Sequence, residues 1–214
     1  DADGWLPIGC DYTVHDSQSL SYVFKGSFDG CGYTVYGLYI YDERGDNVGL
    51  FGRTKGATIK NLGIIGGVVG EFNCGGIVGR AEDTTITNCW ANVSLQAESE
   101  TGGIAGRIKD TTIENCVSYG ATLCAGGETC ISGGIAGDVL GKSAIKNCYY
   151  LKGTAQGGYN SAPSGAEINI LTFTYGFEQD DYYCMLERAT QIDDITTTSL
   201  LDALNAWVFL QNNG

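Results

Sequence analysis

Two prolines and one histidine occur in 214 residues, and 12 Lys and Arg side chains face 25 Asp and Glu. So little proline, with no Gly-X-Y period, excludes collagen and proline-rich linkers. One histidine, His15, makes a His-rich zinc site impossible and leaves any Ser-His-Asp or Cys-His device dependent on that residue. A net charge of −13 repels phosphate backbones and anionic lipid, so nucleic acid is excluded as a partner. No apolar run approaches the ~18 residues of a membrane span, so this segment is not expected to insert in a membrane. The first residues, Asp1-Ala2-Asp3-Gly4, carry no basic then apolar leader, which reads as a signal peptide either absent or removed. What is plentiful is glycine, 33 residues, within a chain that is 43% hydrophobic and able to form a core.

The glycines belong to a repeat. Gly49-Leu50-Phe51-Gly52, Gly76-Ile77-Val78-Gly79, Gly103-Ile104-Ala105-Gly106 and Gly134-Ile135-Ala136-Gly137 are copies of one box. A second box trails each at a nearly fixed lag: Thr58-Ile59-Lys60-Asn61-Leu62, Thr85-Ile86-Thr87-Asn88-Cys89, Thr112-Ile113-Glu114-Asn115-Cys116 and Ala144-Ile145-Lys146-Asn147-Cys148. Thr34-Val35-Tyr36-Gly37-Leu38 reads as a degenerate first copy, giving steps of 24, 27, 27 and 32 residues between positions 35, 59, 86, 113 and 145. The last step is lengthened by an insertion, Cys124 to Cys130, expected as a surface loop.

Each unit holds short Val/Ile/Thr-rich pieces separated by Gly or Asn, with no 3.6-residue period, which is strand and turn chemistry. One coil of strands cannot bury its inner face alone, whereas coils stacked ~4.8 Å apart bury a continuous core. The expected fold is all-β, a right-handed parallel β-helix (β-solenoid) of about five coils, the hand following the general rule for parallel crossovers. Residues 1–150 form the solenoid with an N-terminal cap region. Residues 151–214 form a C-terminal capping segment, with a short helix near 198–208 suggested by Thr196 to Ser199 preceding Leu200, Leu204 and Trp207.

In the second box the apolar positions lie three apart, so alternation slips and a corner falls between them. Asn61, Asn88, Asn115 and Asn147 are expected there as a structural ladder, because asparagine tolerates the left-handed backbone and stacked amides hydrogen-bond. Gly75-Gly76, Gly102-Gly103 and Gly133-Gly134 supply positive φ or close backbone approach at a turn. Cys89, Cys116 and Cys148 stack with a rung spacing beyond disulfide geometry, so they read as buried, reduced small hydrophobes. Cys124 with Cys130, and Cys10 with Cys31, are plausible pairs, and the full pairing of Cys10, Cys31, Cys74, Cys124, Cys130 and Cys184 is not fixed by the sequence.

The succession Trp5-Leu6-Pro7-Ile8-Gly9, Phe24-Lys25-Gly26-Ser27-Phe28-Asp29-Gly30, Gly32-Tyr33-Thr34-Val35 and then the Gly-Leu-Phe-Gly and Gly-Ile-Ala-Gly boxes resembles bacterial GLUG-motif proteins over about residues 5 to 150. The resemblance implies a surface or secreted adhesin-like repeat protein, and the motif also occurs in immunoglobulin A peptidases. It implies no catalytic residue within the repeats. This chain departs from the pattern in placing Cys89, Cys116 and Cys148 where Leu62 also serves.

Reaction chemistry is sparse. Gly137-Asp138-Val139-Leu140-Gly141-Lys142-Ser143 looks like a phosphate loop but has three residues between its glycines where that loop has four. No Cys-x-x-Cys occurs, and the acidic pairs Asp42-Glu43, Asp46-Asn47, Glu82-Asp83, Asp180-Asp181 and Asp193-Asp194 reproduce no calcium loop, so they read as solvated surface. No catalytic residue, metal site or cofactor is expected. Binding candidates are Arg53, Arg80 and Arg107, which recur at one repeat position as an outer ladder. Tyr39, Trp90 and Tyr149, each following the Leu or Cys of its box, are candidates to point outward together or to cover a cap.

Three functions fit. The first is a non-enzymatic surface or secreted adhesin-like binding or scaffold module, extracellular or on the bacterial cell surface. Its partner would be an unnamed host or bacterial surface protein or glycan. The second is a carbohydrate-binding or polysaccharide-lyase-like β-helix, and the third a non-catalytic repeat segment of a larger secreted peptidase.

Overall fold

The computed structural model describes residues 4–14, 18–127, 130, 132–178, 181–192 and 195–205. His15, Trp207, Asp180, Asp193 and Asp194 lie outside them.

The chain is an all-β solenoid of about five coils, built from parallel strands that pair rung on rung. Each Thr-Ile-x piece is a three-residue strand whose central side chain points inward. Ile86 lies opposite both Ile59 and Ile113, and Ile113 opposite Ile145. All four isoleucines are fully buried. Their β-branched side chains suit a pleated surface, and stacking them excludes water from a continuous column.

This column defines the first side of the coil and extends to Phe28 above and Ile168 below. The first rung is therefore Ser27–Asp29, not the segment around Val35. Val35 instead pairs with Ile64 on the second side. That side stacks Thr34–Tyr41, Gly63–Val69, Trp90–Ala97, the short Val117–Ser118 and Thr122–Cys124, and the later parts of Ala144–Leu151 and Glu167–Glu178. The third side starts with Asp46–Val48, Phe72–Gly75 and Thr101–Gly102. It bends at the glycine boxes and continues as Phe51–Lys55, Val78–Glu82 and Ala105–Lys109, while Gly133–Leu140 runs through the bend unbroken.

Each side ends in a corner made by left-handed residues. Asn61, Asn88, Asn115 and Asn147 have φ of 55°, 54°, 52° and 47°. Asn47, Asn73 and Glu100 (60°, 51°, 45°) make the second corner, and Gly56, Asp83, Asp110 and Gly141 (62°, 48°, 49°, 62°) the third. Asn, Asp and Gly are the residues that pay least for this conformation.

The box glycines serve a different need. A Cβ on Gly79 would lie 2.2 Å from the Asn47 carbonyl carbon, and one on Gly106 would lie 2.3 Å from that of Asn73. Neither glycine has positive φ. The box folds inward against the preceding corner, and only a residue without a side chain fits. Both apolar residues between the glycines can then be buried, as Ile77 with Val78 and Ile104 with Ala105 are.

The ends are covered differently. At the N-terminal end, Trp5 N donates to Tyr39 O at 2.7 Å and Gly4 bridges Ile40, so the edge strand of the first coil is not left open. Phe24 and Phe28 pack their rings on Phe51 at 5.0 and 5.4 Å, closing the core from above. A hairpin, Asp11–Val14 with Gln18–Ser21, leaves the stack between these contacts.

At the other end the motif fades near 150 but parallel pairing continues through Gly157–Ser161 and into Glu167–Glu178. The chain then turns back as antiparallel strands Asp181–Ile192 and Ile195–Ser199. A helix over 200–205 follows, with Ser199 Oγ accepting from Asp202 N at 3.2 Å as its N-cap. Leu200 and Ala203 of this helix join Leu171, Phe173, Leu186 and Tyr149 in a second apolar cluster.

Candidate binding faces

The corner asparagines form a directional hydrogen-bond chain. Asn147 Nδ2 donates to Asn115 Oδ1 at 3.1 Å, Asn115 to Asn88 at 3.0 Å and Asn88 to Asn61 at 3.2 Å. Asn61 ends the chain on the Asp29 carboxylate at 2.9 Å, and the Tyr149 hydroxyl donates to Asn147 Oδ1 at the other end. Asp29 also accepts from Cys31 N and Lys60, and the Asn61 amide above all holds its carboxyl below the usual range. Every amide is spent within the ladder, so this edge is structural. A shorter pair at the second corner, Asn73 to Asn47 at 3.2 Å, has no counterpart in the sequence reading.

Cys89, Cys116 and Cys148 stand just inside that corner, fully buried and unbridged. Each thiol donates to the carbonyl two residues back, Thr87, Glu114 and Lys146, at 3.2, 3.3 and 3.1 Å. Its neighbour's thiol together with burial pushes the Cys89 pKa well up, and burial chiefly does the same for Cys116. Cys74, at the second corner, is pushed up to about 12 by burial. Cys124 and Cys130 are joined as a disulfide with Cα atoms 5.8 Å apart. Cys10 and Cys31 are free thiols, so the pairing expected between them is absent; Cys31 instead turns the first corner at φ 51°.

Tyr39, Trp90 and Tyr149 do not share a row. Tyr39 lies opposite Gly67, whereas Trp90 lies opposite Gly63 and Val117. The cause is that Thr34–Tyr41 lies on the second side, while the first-coil counterpart of the repeated box is Ser27–Asp29, so the position after Leu38 is not the position after Cys89 and Cys148. Tyr149 is opposite Val117, in the column of Trp90, but is 1% exposed beneath the C-terminal cluster. It covers a cap and is withdrawn from any outward surface. Trp90 is half-buried, its ring over Gly63 and stacked on Tyr119 at 5.7 Å.

The second side presents a different aromatic surface. Tyr36, Ile65 and Asn92 form one outward column across three rungs; Tyr39, Gly67 and Ser94 form the next; Tyr41, Val69 and Gln96 the third. None of these nine positions is charged. Tyr36 and Tyr39 are 75% and 53% exposed. The sequence reading missed Tyr36 and Tyr41; Tyr41 alternates with buried Leu38 and Ile40, whereas Tyr36 has their parity and is turned outward by the register shift at Gly37.

On the third side Arg53, Arg80 and Arg107 do stack in register, and Asp138 then Ser161 continue the column. Two positions along, Lys55 and Lys109 bracket Glu82 at 3.3 and 3.7 Å. Lys55 chiefly holds the Glu82 carboxyl below its usual range.

Gly137 to Ser143, which looks like a phosphate loop, joins two strands and opens no helix. Lys142 N donates to Asp110 Oδ1 at 2.8 Å, and Ser143 Oγ accepts from Thr111 N at 3.1 Å. Its polar groups are thereby used as a corner. Among the described residues, no three or more His, Cys, Asp or Glu are gathered as metal ligands, and no helix is long and apolar enough to cross a membrane.

No protein-family model matches the chain, and no curated protein matches it. The likeness to GLUG-motif proteins therefore rests on the quoted boxes alone. Among solved structures, one from Bacteroides ovatus named "putative immunoglobulin A1 protease" is similar at 20% identity, covering 71% of this chain and 69% of that chain with a TM-score of 0.47.

Proposed function

We propose that this β-solenoid is a non-enzymatic recognition module of a bacterial surface-displayed or secreted protein, and that it binds through the outward second side. The observation that supports this reading most is the uncharged grid of Tyr36, Tyr39, Tyr41, Ile65, Val69, Asn92, Ser94 and Gln96 in a chain of net charge −13. Exposed apolar groups gathered on one face mark interaction sites, because leaving them in water gains nothing for the isolated fold. Tyrosine presents a flat ring and a hydroxyl at low entropic cost, and the adjoining Asn, Ser and Gln offer donors and acceptors for a partner's polar groups. Parallel strands hold these side chains at fixed spacing, so little ordering is needed on binding.

The partner is a glycan or a protein surface of the host or of a neighbouring bacterium, met outside the cell. A glycan and matrix-protein array probed with the purified chain tests the reading. Binding weakened by Tyr36→Ala with Tyr39→Ala supports it. A polysaccharide shortened by the purified chain would replace it with the lyase alternative. A zinc-binding His-Glu-x-x-His helix elsewhere in the same gene would mark the module as a segment of a larger peptidase.

A further inference from the structure

We infer that the C-terminal end of the stack is a docking site for an extended strand of a partner protein, one with an apolar side chain at every second position. The strand pairs with the open edges of Gly157–Ser161 and of residues 167–171 and fills the cavity between them. This site is independent of the aromatic face.

The inward columns show where the core is left open. Phe51, Val78, Ala105 and Ala136 succeed one another on the third side and are fully buried, but the next member, Tyr159, is 38% exposed. On the first side Ile145 is fully buried and Ile168 beneath it only half-buried, as is Ile170 beneath fully buried Cys148. Each lacks the rung that covers its predecessors. A cavity of about 550 Å³ opens here, with Tyr150, Gly158, Tyr159, Ile168, Ile170 and Leu171 in its wall and no charged side chain lining it. The C-terminal helix packs in the cluster of Tyr149 and Leu171, and Tyr159, Ile168 and Ile170 stand outside that cluster.

The main chain selects what the cavity takes. Gly157–Ser161 pairs only with Gly133–Leu140, and residues 167–171 only with Ala144–Leu151, so among the described residues no strand lies on the far edge of either. Such an edge offers N–H and C=O groups at the period of an extended backbone, which a strand ~4.8 Å away matches and a sugar or a helix does not. The chain itself shows that this edge accepts a strand. Asp181–Ile192 pairs antiparallel with the continuation, residues 173–178, and that pairing stops at Phe173. A partner strand extends the sheet upstream of that point. Its alternate side chains turn into the cavity, and an uncharged lining favours apolar ones there.

The test titrates a fluorescent peptide copying residues 103–116 into the purified chain. Within it Ala105 and Ile113 belong to the columns that end at Tyr159 and Ile168, so the peptide has the side-chain order of a further rung. Saturable binding is expected, and none for a peptide of the same composition in scrambled order. Tyr159→Lys should weaken binding about tenfold or more at an unchanged melting temperature, whereas Asn169→Lys, at an exposed alternate position, should leave it unchanged. Tyr159→Ser carries the test if the lysine variant folds poorly. No saturable binding, or equal binding by the folded Tyr159 variant, overturns the inference. Binding that appears only in a chain ending at Asn205 would give the site to residues 206–214, and a dimer that Tyr159→Lys dissolves would give it to a second copy; either result also overturns it. The Tyr36→Ala and Tyr39→Ala variant should bind the peptide as before, so failure here leaves the aromatic-face reading untouched.

Discussion

Asn61 donates its side-chain amide to the carboxylate of Asp29 at 2.9 Å, and the amides of the next three corners follow it in one direction. The carboxylate thus accepts from Asn61, and the donors of the other three asparagines line up behind it. Charge-assisted and chained hydrogen bonds polarise one another, so the terminal carboxylate matters to the whole edge.

Stability should accordingly fall with acid at this edge. The Asp29 carboxyl is held below its usual range by Asn61, by Cys31 N and by Lys60, so its contribution is present above the unfolded-state pKa and is lost as pH falls through the lower folded value. Denaturant midpoints followed from about pH 6 to about pH 3 should drop in the native chain and drop less in Asp29→Asn. Equal slopes for the two would show that the carboxylate is not coupled to folding.

Asn88 makes two ladder hydrogen bonds and sits at φ 54°. Asn88→Ala should cost about 2–3 kcal/mol, roughly 1 for each hydrogen bond and up to about 1 because alanine tolerates the left-handed region less well than asparagine. Asn88→Gly should cost less, because glycine removes the backbone part. Urea unfolding separates the two variants, and a larger loss for glycine would contradict the corner geometry.

Thiol chemistry should sort by position. Cys31 is exposed and free, whereas Cys74, Cys89, Cys116 and Cys148 are buried. The raised pKa of Cys74, Cys89 and Cys116 leaves little thiolate at neutral pH. A disulfide reagent should label Cys31 promptly and reach the four buried thiols only after denaturation. Prompt labelling of the ladder cysteines in the folded chain would show that the core is open.

Two tyrosines should part company. Tyr149 is buried under the C-terminal strands and helix, so Tyr149→Ala should cost about 3–5 kcal/mol, the usual range for deleting a large core ring. Tyr39 is 53% exposed, and Tyr39→Ala should move the melting temperature little. Thermal unfolding of both decides whether the register of the second side is right.

The stack of Ile59, Ile86, Ile113 and Ile145 and the corners at Asn61 to Asn147 were legible because the solenoid repeats one local solution, and identical needs select near-identical residues. The first coil was not, since its corner is Cys31 and its inward residue is Phe28, so it matches no box. Taking Thr34 to Leu38 as the first box misplaced Tyr39, because that segment lies on the second side, where Thr34 shares the column of Gly63 and Trp90. The Arg53, Arg80 and Arg107 column was legible from recurrence, but Arg107's unpartnered Nε and the occupation of Glu82 by two lysines are matters of packing. Beyond Leu151 the coil continues on non-repeating residues such as Tyr159 and Ile168, whose places only the pairing reveals.

The most direct measurement of the recognition reading is the dissociation constant of the array-identified partner for the native chain and for Tyr36→Ala with Tyr39→Ala, taken beside their melting temperatures. The expected result is affinity weakened about tenfold or more at an unchanged melting temperature, as for removal of two central aromatic contacts. Unchanged affinity in a folded double variant would contradict it, as would depolymerisation of the bound polysaccharide by the purified chain.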